Sequence, residues 1–168
     1  MTRTKTELGR LRAYQRESFE RIATRAEPFA HGLAVFTPEH PTKWDLNLLV
    51  VDDAAGVSAE ELLAEAERLQ APAGLRHRKL QVLSGGKGLA DGFAAAGWTV
   101  ETVVVMTLHG ADVRGDTPQA EVRETGFEAV RSLMEAWYRE SMGEAEARDL
   151  ADSDADSATR SGARYFLA

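Results

Sequence analysis

Apolar residues recur at Leu8, Leu11, Phe19, Ile22 and Ala26 among arginines and glutamates, a spacing that predicts a helix over residues 7–26. Glu27-Pro28 ends it, because proline drives the residue before it out of the helical region. HGLAVF (31–36) reads as a short strand. Pro38 and Pro41 hold the next connection extended, and WDLNLLVVD (44–52) alternates and then runs apolar, as a strand buried on one or both faces does. Ser58 with Glu61 three positions on predicts a capping box. Leu62, Leu63, Ala66 and Leu69 supply that helix's apolar face, and Pro72 and Gly74 close it. RHRKLQVL (76–83) is a strand with a charged entrance, SGGKG (84–88) a turn, and LADGFAAAGW (89–98) a short helix stopped at Gly97. TVETVVVMTL (99–108) has the strongest strand pattern in the chain, and Val103-Val104-Val105-Met106 predicts burial on both faces.

Residues 7–110 therefore read as a mixed α/β unit in the order α β β α β α β. GADVRGDTPQ (110–119) has two glycines and a proline among polar residues, so a linker is drawn over 111–124, between a unit of residues 1–110 and a second of 125–168. Thr125 with Glu128 forms a second capping box, and Phe127, Val130, Met134, Trp137 and Tyr138 give 125–142 an amphipathic helix. Residues 144–156 carry six acids against one arginine and read as a weakly held helix followed by a loop. RYFLA (164–168) begins a strand. Such a strand needs a neighbour, so it either opens a sheet of its own or adds an edge to the first unit's sheet, which would make one domain.

Composition narrows the function classes. A chain of 168 residues with 43% hydrophobic and 28% charged residues is globular and can bury a core. No window approaches a membrane span, and MTRTKTELGR has no apolar run of a secretory signal. The absence of cysteine removes disulfides and thiolate metal sites and suits a cytoplasmic protein. A net charge of −7 disfavours nucleic acid as a partner. Arg10, Arg12, Arg16, Arg21 and Arg25 cluster near the start, where a solvated helix face accounts for them.

Candidate chemistry is sparse. SGGKG lies between strand and helix, where backbone N–H groups can cradle a phosphate, but it lacks both the Walker and the dinucleotide spacing, and a tight turn explains its glycines. His31, His40, His77 and His109 show no metal-ligand spacing, so no metal is expected. Arg76-His77-Arg78-Lys79 is a cationic strand entrance able to hold an anionic group, or to pair with the many acids. Asp52 and Asp53 follow a buried strand, where open α/β sheets place function and where ordinary turns also occur. Trp44, His77, Arg78, Trp137 and Tyr138 are the candidate contacts to a substrate or partner, and no catalytic residue is nominated.

WDLNLLVVD (44–52), AGLRHRKLQVL (73–83), FAAAGWTVETVVVM (93–106) and ATRSGARYFLA (158–168) resemble, in order and spacing, the GNAT family of N-acetyltransferases, in its two-lobed bacterial form. The resemblance implies an acyl-CoA N-acyltransferase-like, degenerate first lobe followed by the opening helices and first strand of a second. It implies transfer of an acetyl group from acetyl-CoA to an amine. Family members hold the cofactor's pyrophosphate on a Gln/Arg-x-x-Gly-x-Gly/Ala loop between strand and helix. The corresponding VDDAAGVSAEE (51–61) has one glycine and two aspartates, which repel phosphate. The resemblance thus implies a truncated member that binds no acetyl-CoA as it stands. The alternative is a non-enzymatic binding or dimerisation module, with a homodimer through the Tyr165–Leu167 edge and the Trp137/Tyr138 face.

Overall fold

The computed structural model describes residues 2–105 and 121–167. Helix α1 (Thr2–Ile22) leads into an antiparallel hairpin of β1 (Arg25–Phe29) and β2 (Gly32–Phe36). Strand β3 (Leu48–Val51) pairs antiparallel with β2, and after α2 (Ala59–Gln70) the chain returns as β4 (Leu80–Val82), parallel to β3. The sheet order is β1-β2-β3-β4, and α3 (Ala90–Ala95) follows the last strand. This is a mixed α/β architecture.

Every residue of β3 and residues 33–36 of β2 are buried, which requires cover on both faces of the sheet. Leu33, Val35, Leu48 and Val50 pack with Ala23 and with Phe19 of α1 on one side. Ala34, Phe36 and Leu49 meet Ala66 of α2 on the other, where Val51 also meets Leu62 of α2 and Phe93 of α3. Ser58 caps α2 by accepting the Glu61 N–H at 3.1 Å, while the Glu61 carboxylate reaches His31 rather than back to the cap.

Several elements depart from the sequence pattern. The first helix ends at Ile22, and residues 25–29 form an edge strand that contains Pro28. Proline lacks a backbone donor, and an edge strand tolerates it because one side of the ladder is unpaired. Trp44–Leu46 form a single 3₁₀ turn, so the strand read over 44–52 is confined to Leu48–Val51. Of the strand read over 76–83 only Leu80–Val82 pairs.

The strand read over 99–108 is not formed in its described part. Residues 99–105 join no strand among the described residues, Val103 is 80% exposed, and Val100, Val104 and Val105 are exposed too. An apolar run sets a preference for a sheet but cannot supply the neighbour, and no described strand lies beyond β4. Residues 106–108 lie outside the described residues.

In the second segment β5 (Arg123–Thr125) and β6 (Tyr165–Leu167) form an antiparallel pair, with α4 (Phe127–Arg139) and α5 (Glu144–Ser161) between them. Strand β6 therefore takes β5 as its neighbour, not the four-stranded sheet, and Arg123 and Glu124 of the expected linker belong to a strand. Thr125 pairs with Tyr165 instead of capping a helix; α4 starts from Gly126 with no side-chain cap bond. The acidic stretch is one continuous helix through Ser161, closed by Gly162 at φ 66°, and it packs on both α1 and α4. Ala147, Leu150, Ala151 and Ala158 are buried in it.

Between β2 and β3 the chain makes a turning connection, residues 37–47, tied by one fully buried side chain. Asn47 Oδ1 accepts the Thr37 N–H at 2.9 Å, and its Nδ2 donates to the carbonyls of His40 at 2.9 Å and Lys43 at 3.0 Å. Asn47→Ala is expected to cost about 2 kcal/mol, because it strands the buried Thr37 N–H and takes from the His40 and Lys43 carbonyls one of the two bonds each accepts. Urea unfolding monitored by circular dichroism measures this, and a loss below about 1 kcal/mol would show that water replaces the amide.

Candidate functional site

The backbone carbonyl of Asn47 accepts Gln70 Nε2 at 3.3 Å and His77 Nε2 at 2.9 Å. The second bond holds the imidazole flat beneath the Trp44 indole, with ring centroids 5.1 Å apart and planes 23° from parallel. Trp44 is 57% exposed, so its outer face is open to a ligand or partner. Burial pushes the His77 pKa down, and Lys79 and Arg78 push the same way, against the bond to Asn47. His77 is thus a neutral ring with its Nε2–H donated to a carbonyl.

Arg78 follows His77 but turns to α2. Its guanidinium bonds both Glu67 carboxylate oxygens, at 2.8 and 3.1 Å, and donates to the carbonyls of Leu75 and His77. Lys79 pairs with Asp45. The cationic strand entrance is therefore largely neutralised, with Arg76 exposed beside it.

On the other side of Trp44, Lys43 reaches into the second segment. Its Nζ donates to Asp154 Oδ1 at 2.7 Å and to the Tyr138 hydroxyl at 3.4 Å, and Tyr138 in turn donates to Asp154 Oδ2 at 2.5 Å. Burial disfavours the Lys43 ammonium, but the bond and charge of Asp154, together with Tyr138, outweigh it and the lysine pKa rises. Burial, then the Asp154 bond, raises the Tyr138 pKa as well, so the phenol keeps its proton. Trp137, the next residue back, is 58% exposed on the outside of α4.

Of the five candidate contacts, then, Trp44 and His77 are in direct contact and Tyr138 reaches the same connection through Lys43. Arg78 is committed to α2, and Trp137 faces solvent. Lys43, Asn47 and Asp154 were missed. Asn47 carries no chemistry that a motif would flag. Lys43 and Asp154 lie 111 positions apart, so no local spacing could pair them.

The connection from β3 to α2 is occupied by its own contacts. The N–H groups of Ala54, Ala55 and Val57 donate to Ser84 O, Asp53 Oδ1 and Ala54 O. Asp52 Oδ2 takes Arg16 of α1 at 3.0 Å. Gly85, at φ 75°, lies so close that a Cβ there would meet Ala55 N at 2.6 Å and Asp53 Oδ1 at 2.7 Å. The first glycine of the turn is thus explained by packing against this connection. Among the described residues no group of three or more His, Asp and Glu side chains could hold a metal ion, and no helix is long and apolar enough to cross a membrane.

Because its folded pKa is depressed, His77 takes up its proton more readily in the unfolded chain. It contributes full stability above the ordinary histidine pKa of about 6.5, and that contribution falls as pH drops below it. An NMR titration of its ring should find a midpoint below 6.5, and Trp44→Ala should raise that midpoint by letting water reach the imidazole. A midpoint above 6.5 would contradict the neutral, carbonyl-bound ring. No protein-family model, no curated protein and no solved structure matches this chain.

Proposed function

We propose that this chain is a GNAT-type N-acetyltransferase module that does not hold acetyl-CoA in the family manner and is catalytically silent by itself. The β3–α2 connection supports this most directly. In the resembled family that place presents free backbone N–H groups to a pyrophosphate at a helix start, where donors and dipole favour an anion. Here three of those donors, Ala54, Ala55 and Val57, are engaged within the protein, and two carboxylates, Asp52 and Asp53, stand at the mouth. A pyrophosphate would have to displace the Asp53 turn and lie beside like charge. The residues present do not fit the cofactor. The parallel β3–α2–β4 crossover is compatible with the resembled fold.

Thermal unfolding with acetyl-CoA tests the proposal. A ligand with a Kd of about 10 µM, present at about 1 mM, would add about 2.7 kcal/mol, a rise of roughly 5–10 °C for a chain of this size. The expected shift is nil. A saturable rise of that order, retained when Asp53 is left intact, overturns the proposal.

A second reading, a binding or dimerisation module, is favoured by one observation. Val122, Leu133, Trp137 and Phe166 are all exposed on the second segment, and β6 is paired on one side only. Light scattering after size exclusion should then give twice 18.3 kDa at tens of micromolar. A strict monomer would remove a homodimer through the Tyr165–Leu167 edge.

A further inference from the structure

We propose that His40 is a proton-dependent latch that fastens helix α5 to the connection between β2 and β3. His40 is buried, and both of its ring nitrogens meet carboxylates on α5. Nδ1 lies 3.0 Å from Asp149 Oδ1 and Nε2 lies 2.9 Å from Asp156 Oδ2, from residues 109 and 116 positions away in the chain. An ionised carboxylate only accepts hydrogen bonds, and a neutral imidazole has a single N–H. Both contacts are satisfied together only when the ring is the imidazolium. Deprotonation turns one of the two nitrogens into a lone pair facing a carboxylate oxygen at hydrogen-bond distance, so one bond of the latch becomes a repulsion.

The surroundings make the latch two-sided. Asp149 and Asp156 face the ring from α5, and Asp149 also accepts the Thr42 hydroxyl. On the connection itself Glu39 and Lys43 flank it; Arg160 of α5 lies 3.8 Å from Glu39, and Lys43 pairs with Asp154. Acids therefore outnumber the fixed cations around the ring, which favours the protonated form. Burial works against the cation, but the bonds to Asp156 and Asp149 prevail and the His40 pKa rises. A raised folded pKa gives stability that is complete below about 6.5 and is lost as pH climbs through the folded midpoint.

Ser153 lies between Asp149 and Asp156 on α5, and both Ser153 Oγ and Thr37 Oγ1 are buried without a hydrogen-bond partner among the described residues. Such groups are costly to bury and regain water when the helix lifts. Release would leave the four-stranded sheet and its Asn47 tie in place while freeing α5 from the connection.

Two measurements on the full chain test the latch. Ring NMR should give His40 a midpoint above 6.5, with both nitrogens protonated below it. Hydrogen exchange of residues 144–161, corrected for the intrinsic pH dependence, should lose at least tenfold in protection between pH 6 and pH 9. The same residues in His40→Gln should lose no more than threefold. A midpoint at or below 6.5, or an equal pH dependence in both proteins, overturns the proposal. Should His40→Gln fail to fold, Asp156→Asn decides, since that side chain is 53% exposed and tolerates change. It must lower the His40 midpoint, and an unmoved midpoint counts against the latch.

Discussion

The buried amide of Asn47 is the constraint on which the rest of this structure depends. One side chain gathers Thr37, His40 and Lys43, and its backbone carbonyl gathers Gln70 and His77. A turning connection between two buried strands carries backbone groups that water cannot reach, and each must find a partner inside the protein. Asn47 supplies those partners from a single position at the start of β3. Gln70 repeats the device one layer out: its amide donates to the Asn47 and Lys79 carbonyls and accepts the Lys79 N–H. The route from α2 back to β4 is thereby set by the same knot. Because the 37–47 connection is fixed, it presents His40 and Lys43 to α5 and sets Trp44 against His77 of the α2–β4 connection.

That fixed presentation explains how a strongly acidic helix remains folded and packed. Taken alone, α5 has acids along much of its length, and like charges on a helix repel at close spacing. In the folded chain Asp149, Asp154 and Asp156 are each matched by a group from the connection, and Asp152 by Arg131 of α4. Arg160 adds a bond to the Ile22 carbonyl at the end of α1. Several of these pairs are only partly exposed, where Coulomb attraction is less screened than at a free surface. Removing one partner would leave its mate partly buried and uncompensated, which is more serious than losing an exposed pair. The second segment adds this charge matching to the apolar contacts of Val130, Ala147, Leu150, Ala151 and Ala158, while Leu133, Trp137 and Phe166 lie exposed on α4 and β6.

What the sequence made legible follows from range. Helical and alternating periodicities located α2, β2 and the buried half of β3, because those signals need only a local face and a core. The cap at Ser58 and the stop at Gly97 are local too. Three readings failed for want of a distant partner. The helix drawn through Ala26 stops at Ile22, because residues 25–29 find an edge position beside β2, where Pro28 is tolerated. The valines of 99–105 promised a buried strand without a neighbour to pair with. The acids of 144–156 read as a weakly held helix and a loop because His40, Thr42 and Lys43 lie more than a hundred positions upstream. The Trp44–His77 stack belongs with these, since the two rings meet only through the fold of the β2–β3 and α2–β4 connections.

The two histidines tied to Asn47 show how environment, more than residue type, sets chemistry. His77 meets a neutral carbonyl and two neighbouring cations, and burial and charge both favour the uncharged ring. His40 meets two carboxylates, and its hydrogen bonds outweigh the same burial effect. The rings meet different partners around one amide knot, so a change of pH acts on them in opposite senses. Towards lower pH the Trp44 platform loses its favoured state while α5 is fastened; towards higher pH the platform is secure and α5 is loosened. A surface that binds through Trp44 and a surface exposed by release of α5 would therefore be favoured under the same, higher-pH condition. Their common dependence needs no transmitted motion, only a shared proton activity.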